Sequence, residues 1–231
     1  MDIYTGDIIA MYSSPSYDPN LFLFGISQDD WQLIRNNPQK PLINKTLSGL
    51  YSPGSTIKPI VALSALENNI IDKNFTIKCT GKTELYGQTF HCWKEKGHGF
   101  VSLKNAMKQS CDTYFYEVSR LLGVDRLSVT AKKFGLGEKV LGEYFSNEKS
   151  GLFPNTSWKK NNLGKGWVLG ESLITGIGQG YTQTTPLQLC LMTAQIANGG
   201  YKVKPKIIVN NNTLSSVSYT HLTLPTKSRV W

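Results

Sequence analysis

The stretch YSPGSTIKPIVALSALENNIID places Ser55 and Lys58 three residues apart at the start of an apolar run. Residues at this spacing share one face of a helix, so a desolvated Lys58 amine can accept the proton of the Ser55 hydroxyl. A serine in the first helical turn also faces unpaired backbone N–H groups and the positive end of the helix dipole, which favour an oxyanion. The pair therefore predicts a serine nucleophile with a lysine base.

The same spacing occurs twice more, at Ser146 with Lys149 and at Ser157 with Lys160. Both of these copies lie in polar, loop-like sequence, where a solvated lysine is expected. Spacing and context alone leave a second interpretation of Ser55 open, which is that it caps an ordinary helix.

A second group of chemically active residues comprises Cys79, Cys92, His98 and Cys111, with the three cysteines inside 33 consecutive residues. Three cysteines and one histidine are the ligand set of a closed tetrahedral zinc site. Their spacings do not match a short zinc-finger pattern. The residues alone therefore indicate a possible structural zinc site without establishing it.

Two other interpretations of these cysteines remain open. A disulfide between Cys79 and Cys92 suits an oxidising compartment, and three free buried thiols are the simplest case. His91 is the alternative histidine ligand because it precedes Cys92. Cys190 stands apart in an apolar helical segment and is predicted to be a core residue.

The elements that must position these groups are mostly helices. Apolar spacing predicts a buried helix after Ser55, and further helices follow Ser102, in TYFYEVSRLLG, in VDRLSVTAKKFG with Asp125 as its cap, and after Thr185 with Pro186 at the first helical position. A strand pair is predicted at residues 2–14, a loop up to residue 46, irregular structure at 75–100, and loop with short strands at 136–170. Runs of helices against few strands predict the α+β class.

Composition limits the classes of protein that fit. A chain of 231 residues with 40% hydrophobic and 18% charged residues can bury a core and suits one large domain or part of one. The sequence contains no apolar window of about 20 residues, and its first residues show no signal-peptide pattern. The net charge of +9 suggests an anionic partner such as nucleic acid, a cell-wall polymer or a membrane surface. Because no run of basic residues concentrates this charge, we expect no nucleic-acid partner.

The last residues differ in composition from everything before them. The segment VSYTHLTLPT, residues 217–226, resembles the translation of a sequencing adaptor. We therefore predict a partial domain at 1–216 and a non-native tail at 217–231, and we exclude the tail from fold reasoning.

Three motifs in order, PGSTIKP, SCDTYFY and GIGQGYTQTTPLQL, resemble the transpeptidase domain of the class B penicillin-binding proteins. Within that family the elongation-specific type, penicillin-binding protein 2, is most similar, and the similarity covers residues 2 to about 209. The resemblance implies an α+β penicillin-binding/serine β-lactamase-like transpeptidase fold. It also implies that Ser55 is the acyl-accepting nucleophile and Lys58 its base.

Ser110 matches the serine of the family's second motif, and Asp112 stands where many relatives have asparagine, as the elongation type does. By this resemblance Ser110 passes a proton between Lys58 and the leaving amine, and Asp112 orients Lys58 or the substrate. A helix cap is the simpler interpretation of SCD, and both can hold.

The resemblance also favours zinc as a structural cofactor. Some elongation-type relatives bind zinc through residues aligned with Cys79, Cys92, His98 and Cys111, and they have aspartates at the first two positions. His98 rather than His91 matches the family's GHG. Soft cysteine ligands in place of aspartate strengthen zinc binding in principle.

The family's third motif has no match. The chain contains no Lys-Thr-Gly or Lys-Ser-Gly, and SLITGIGQG has Ile174 in the place of the lysine. The resemblance implies that the strand carrying this motif, with neighbouring sheet strands and a helix at the C-terminal side, is missing. We therefore expect the chain by itself to be inactive.

The function implied for the parent protein is a D,D-transpeptidase that crosslinks peptidoglycan stem peptides during cell elongation and that is acylated by β-lactams. Implied partners are an inner-membrane glycosyltransferase and elongation-complex proteins. The implied location is the periplasmic side of the bacterial inner membrane, with an N-terminal anchor outside this sequence. The alternatives are a serine β-lactamase and a non-catalytic penicillin sensor or scaffold domain.

Overall fold

The structure is a computed structural model and describes residues 1–142 and 145–208. The tail predicted at 217–231 lies outside the described residues, so its assignment stays a prediction.

Helices are the commonest regular elements of the described ranges. In chain order they are α1 Gln28–Asn36, α2 Lys45–Ser48, α3 Lys58–Glu67, α4 Leu103–Lys108, α5 Asp112–Leu122, α6 Val124–Lys133, α7 Thr156–Leu163, α8 Leu169–Gly176 and α9 Pro186–Ala197. Two 3-10 turns accompany them, Pro19–Phe22 and Gly54–Ile57. No helix in residues 1–142 and 145–208 has the length and apolar content needed to span a bilayer.

Two small antiparallel sheets lie between α3 and α4 in sequence. Strands β1 Thr76–Cys79 and β4 Gly99–Ser102 pair with Cys79 opposite Gly99. Strands β2 Lys82–Leu85 and β3 Gln88–His91 form a hairpin with Lys82 opposite His91. Its two turn residues, Tyr86 and Gly87, both have positive φ, which matches the twist of paired strands. The prediction of a mixed α+β chain is confirmed.

Helix α5 is the centre of the core and packs on α3 and α8. Tyr114, Phe115 and Val118 of α5 are fully buried. The approach to α8 is close because Gly176 has no side chain: a Cβ there would overlap the Ser119 side chain. The first residue of α5 is Asp112, so the packed core fixes the position of a predicted site residue.

Several predicted elements were wrong. Residues 2–14 do not form a strand pair; Asp7 instead makes an isolated bridge with Lys206. The predicted loop up to residue 46 contains α1 and the first half of α2, and the predicted loop at 136–170 contains α7 and part of α8. Cys190 is exposed rather than a core residue, because α9 turns Leu187, Leu191 and Ala194 toward the interior.

Candidate active site and metal centre

Ser55 lies in the 3-10 turn Gly54–Ile57, directly before α3, and its side chain is exposed. Helix α3 begins at Lys58, and Pro59 occupies its second position, where no intrahelical N–H partner is needed. The sequence predicted Ser55 in the first α-helical turn. The serine is instead one turn earlier, and the 3-10 turn runs directly into the helix.

Lys58 is buried, with 2% of its side chain exposed. Its Nζ donates to Asp112 Oδ1 at 2.7 Å, to the Ser110 carbonyl at 2.8 Å and to Ser110 Oγ at 3.0 Å. An ammonium has three N–H donors, and these three acceptors match them. The structure therefore joins Lys58 to the second motif, and among the described contacts it makes no hydrogen bond to Ser55.

Ser110 holds an uncommon backbone conformation, with φ of +50°. A non-glycine residue in this left-handed region is strained by about 1–3 kcal/mol, and such residues concentrate at functional sites. The conformation turns both the carbonyl and the hydroxyl of Ser110 toward Lys58.

Asp112 contacts two different segments through its two oxygens. Oδ1 accepts from Lys58, and Oδ2 accepts the backbone N–H of Trp93 at 3.0 Å. The Trp93 indole N–H donates in turn to the Gln109 carbonyl at 3.0 Å. Two hydrogen bonds therefore join the turn after β3 to Asp112 of the second motif and to Gln109 just before that motif.

These groups line one cleft of about 610 Å³. Ser55, Ser110 and Asp112 border it, together with His91 and Cys92 from the predicted metal-ligand candidates and with four residues that the sequence did not single out: Trp93, Tyr116, Ile177 and Gln179. Ile177 and Gln179 belong to GIGQG, so that motif could have indicated them. Trp93 carried no such signal except its place in WKEKGHG.

The GIGQG loop supports the Ser55 turn through its backbone. Gly54 N–H donates to the Gly178 carbonyl at 2.9 Å, and Tyr51 pairs with Thr184 on the same side. Gly178 has φ of +72°, and a Cβ there would lie 2.7 Å from the Gly54 nitrogen and closer still to its oxygen. Glycine is therefore required at 178 by both conformation and space.

The four predicted metal ligands converge. The sulfur atoms of Cys79, Cys92 and Cys111 and a ring nitrogen of His98 all lie within 4.8 Å of one another. His98 Nδ1 is 3.5 Å from the Cys79 sulfur and 3.6 Å from the Cys92 sulfur. Ligands of a tetrahedral zinc at ordinary bond lengths stand about 3.5–3.8 Å apart, so this donor set fits zinc.

The polarity of the cluster also suits a metal. Burial alone raises the pKa of the Cys79 thiol, but hydrogen bonds from Thr113 and His98 and from backbone N–H groups lower it to about 6. Burial raises the pKa of Cys111, and the neighbouring Cys79 and Cys92 raise it further. The thiolate form of Cys79 is thus stabilised, whereas Cys111 keeps its proton unless a bound cation displaces it.

The structure distinguishes the two histidines. His98 is the histidine of the cluster, and its Nε2 is buried without a partner among the described residues. His91 is exposed, and its carbonyl accepts from the Tyr116 hydroxyl at 3.0 Å. The cysteines at 79, 92 and 111 are free, so the structure contains no Cys79–Cys92 disulfide.

Comparisons with known proteins agree with this architecture. Residues 1–228 match the family described as the penicillin binding protein transpeptidase domain. Peptidoglycan D,D-transpeptidase MrdA of Acinetobacter baumannii is 41% identical over 210 residues, covering 90% of this chain. Among solved structures, Pseudomonas aeruginosa PBP2 in complex with WCK 5153 has a TM-score of 0.85 at 44% identity, covering 89% of this chain and 47% of that one. Helicobacter pylori PBP2 in complex with MreC has a TM-score of 0.86 at 37% identity, covering 92% and 40%.

The chain spans about a third of the length of the curated relative, 31% of MrdA from Acinetobacter baumannii. The agreement of sequence and structure extends over nearly all of the chain itself. The chain belongs to the penicillin-binding protein transpeptidase family.

Proposed function

We propose that this sequence is part of an elongation-type peptidoglycan D,D-transpeptidase in which Ser55 is the acylated nucleophile. One observation carries the proposal: Lys58, one turn after the exposed Ser55, is buried against Ser110 and Asp112 at the same cleft. Two motifs far apart in sequence thereby meet at one cleft. The transpeptidase names of the similar proteins support the same chemistry.

In the proposed reaction Ser55 Oγ attacks the carbonyl of the penultimate D-alanine of a stem peptide. A C–O bond forms, the C–N bond to the terminal D-alanine breaks, and that amine leaves with a proton. An amine of a second stem peptide then attacks the ester, forms the new amide and returns the proton to Ser55 Oγ. β-Lactams enter the first half of this cycle and stop there.

Lys58 is proposed to take the Ser55 proton, and Ser110 to pass it to the leaving amine. Ser110 Oγ lies 3.0 Å from Lys58 Nζ, which is hydrogen-bond distance. To accept this proton Lys58 must be the neutral amine, which has two N–H donors and one lone pair, so one of its three contacts is released and the lone pair turns to Ser55. We assign Asp112 the role of holding Lys58. The Asp112 side chain is only 13% exposed, and its Oδ1 lies 2.7 Å from the almost fully buried Lys58 amine.

Zinc is proposed as a structural cofactor held by Cys79, Cys92, His98 and Cys111. A bound zinc ion would stabilise the folded loops rather than act on substrate. Cys111 directs its sulfur into the cluster, while its two sequence neighbours face the cleft. The cluster residues would therefore fix the main chain that presents Ser110 and Asp112.

The proposed setting follows from the relatives. A similar protein from Helicobacter pylori forms a complex with MreC. We propose an equivalent elongation-complex partner for the whole protein, together with an inner-membrane glycosyltransferase, at the periplasmic side of the inner membrane. Stem peptides and β-lactams are the proposed ligands of the cleft.

Covalent labelling tests this proposal. The sequence, extended to the length of its relatives, should be labelled by fluorescent penicillin, and Ser55→Ala should abolish labelling. Ser52→Ala is a matched control, because Ser52 is exposed on the same segment and lies outside the motif. Labelling that persists in Ser55→Ala would refute the assignment of the nucleophile.

Two further measurements separate the alternatives. A transpeptidase deacylates slowly and turns over a thioester analogue of the stem peptide. Rapid hydrolysis of the penicillin adduct would indicate a β-lactamase, and acylation without thioester turnover would indicate a sensor. The 231-residue chain, which has no Lys-Thr-Gly motif, should label far more slowly than the extended protein.

A further inference from the structure

The segment that forms one side of the cleft carries a net positive charge. Residues 73–108 contain seven lysines and two glutamates, a charge of +5, whereas the whole chain has 25 basic and 16 acidic residues, a charge of +9. A zinc ion with three thiolate ligands would contribute −1 and leave the segment positive.

Folding brings lysines from two parts of this segment to one place beside the cleft. Lys94 and Lys96 lie in the turn that Gly97 closes onto Lys94, immediately after Trp93. The Trp93 indole N–H donates to the Gln109 carbonyl, which places this turn beside the end of α4. Lys108 is the last residue of α4 and directly precedes Gln109. We call Trp93, Lys94, Lys96 and Lys108 the Trp93 patch.

The Trp93 patch is available to a ligand. All three lysines are exposed, and none has an ion-pair partner among the described residues. Trp93 is 65% exposed although both its backbone and its indole N–H groups are fixed. A rigid aromatic face with three free ammonium groups is suited to a chain that has both apolar and anionic groups.

We propose that the Trp93 patch binds the free carboxylates of the stem peptide whose reacting end lies at Ser55. The inference rests on the proposed function and adds a recognition subsite to it. Trp93 lines the same cleft as Ser55, so a peptide that occupies the cleft passes the patch as it leaves. Stem peptides carry carboxylates along their length, and exposed lysines attract such groups and increase the rate of encounter.

The continuity with the cleft argues for a peptide rather than a membrane surface. A lipid bilayer contacts convex, flat faces, whereas Trp93 forms part of the wall of a cavity. The one acidic residue in the patch turn, Glu95, is exposed and leaves the local balance positive. A peptide that lies in the cleft and carries carboxylates therefore has the positively charged lysines of the Trp93 patch beside it.

The test removes three charges from the patch and measures peptide binding directly. The variant Lys94→Gln/Lys96→Gln/Lys108→Gln is made in the full-length protein on a Ser55→Ala background, so that binding does not depend on catalysis. The probes are a soluble stem pentapeptide with free carboxylates and the same peptide with its side carboxylates amidated. We expect the dissociation constant of the free-carboxylate peptide to rise about tenfold and that of the amidated peptide to change little.

The matched control removes the same number of charges elsewhere. Lys132→Gln/Lys160→Gln/Lys165→Gln alters three exposed lysines that do not line the cleft, so the net charge is identical. We expect this variant to bind both peptides as the parent does, and the parent's affinity to fall with added salt. Melting temperatures confirm that both triple variants remain folded, and Lys→Arg changes at the patch should restore binding.

Several results would overturn the proposal. Equal weakening by both triple variants would show that only net charge acts, and equal weakening for the amidated peptide would remove carboxylate recognition. Loss of binding to phosphatidylglycerol vesicles with unchanged peptide binding would assign the patch to a membrane instead. Because binding is measured without Ser55, a failure of acylation in the parent refutes the proposed function and leaves this subsite separately testable.

Discussion

Replacing Gly178 by alanine should impair acylation at Ser55 although residue 178 takes no part in the chemistry. The Gly178 carbonyl accepts the Gly54 N–H, and Gly54 immediately precedes the serine. A methyl group at 178 would lie 2.7 Å from the Gly54 nitrogen and 2.8 Å from its carbonyl carbon. The contacting atoms are backbone, so no side-chain rotation relieves the overlap.

The size of the effect follows from these distances. Carbon and nitrogen atoms in ordinary contact are about 3.5 Å apart or more, so the two loops must separate by roughly 1 Å. A misplacement of about 1 Å at a reacting group can reduce the rate about 100-fold. We therefore expect the second-order rate constant for penicillin acylation to fall about 100-fold in Gly178→Ala.

Gly180→Ala provides the matched control. Gly180 has φ of +71°, close to the +72° of Gly178, so alanine has the same conformational cost of about 1–2 kcal/mol at either position. A Cβ at 180 would meet only the Ile174 side chain, at 3.1 Å. Both variants should therefore lose stability from the backbone conformation and Gly178→Ala should lose more from the overlap with Gly54, while Gly180→Ala should retain acylation within a few-fold of the parent.

The assay is stopped-flow or gel-based labelling of the full-length protein with fluorescent penicillin, together with thermal unfolding. We expect both variants to remain folded at the assay temperature, with the lower melting temperature in Gly178→Ala, and their acylation rates to be very different. Equal acylation rates in the two variants, or a Gly178→Ala rate within about twofold of the parent, would show that the GIGQG loop does not position Ser55.

Three other outcomes are expected. Elemental analysis of the purified full-length protein should find about one zinc per chain, with lower metal content and melting temperature in Cys79→Ser and in His98→Ala; absence of metal together with a mapped disulfide at Cys79 would contradict this. Glu171→Gln should destabilise the protein by about 3 kcal/mol in denaturant titration, because Lys159 is 3% exposed and its Nζ lies 2.5 Å from Glu171; a loss below about 0.5 kcal/mol would contradict the buried ion pair. Stability should fall as pH rises from about 10 toward 12, because burial and the nearby Asp112 and Cys92 raise the pKa of Tyr116 to about 12 in the folded protein, whereas the unfolded tyrosine loses its proton near 10. Tyr116→Phe should make the free energy of unfolding depend less steeply on pH in this range, and an unchanged slope would refute the reasoning.

The sequence predicted those parts of the site that depend on local pattern. Ser55 and Lys58 stand at the start of a helix with regular apolar spacing, and Thr185 forms the expected cap of α9 by accepting from the Gln188 N–H. The cysteine cluster was predicted from the types of its ligands. The pairing of β1 with β4, next to the start of α5, brings those ligands together. In each case the residue types alone restrict the chemistry.

The parts that sequence reasoning missed depend on distant partners. Helix α7 reads as polar loop, yet Lys159 is buried because Glu171 of α8 neutralises it. Helix α1 has no buried residue among its nine, so it is not one of the core-facing helices that apolar burial specifies. Trp93 acquires its place in the cleft only through bonds to Gln109 and Asp112, which no local pattern encodes.

The two contacts of Asp112 determine which residue types this position tolerates. Lys58 Nζ and the Trp93 backbone N–H are both donors, and each takes one carboxylate oxygen. Asparagine, the residue of many relatives here, offers one acceptor oxygen and one donor NH₂ group, so it can satisfy only one of the two. An asparagine in this molecule would have to release either the lysine or the turn after β3. The identity of the residue at 112 is therefore a marker, readable from sequence, of whether that turn is joined to the second motif.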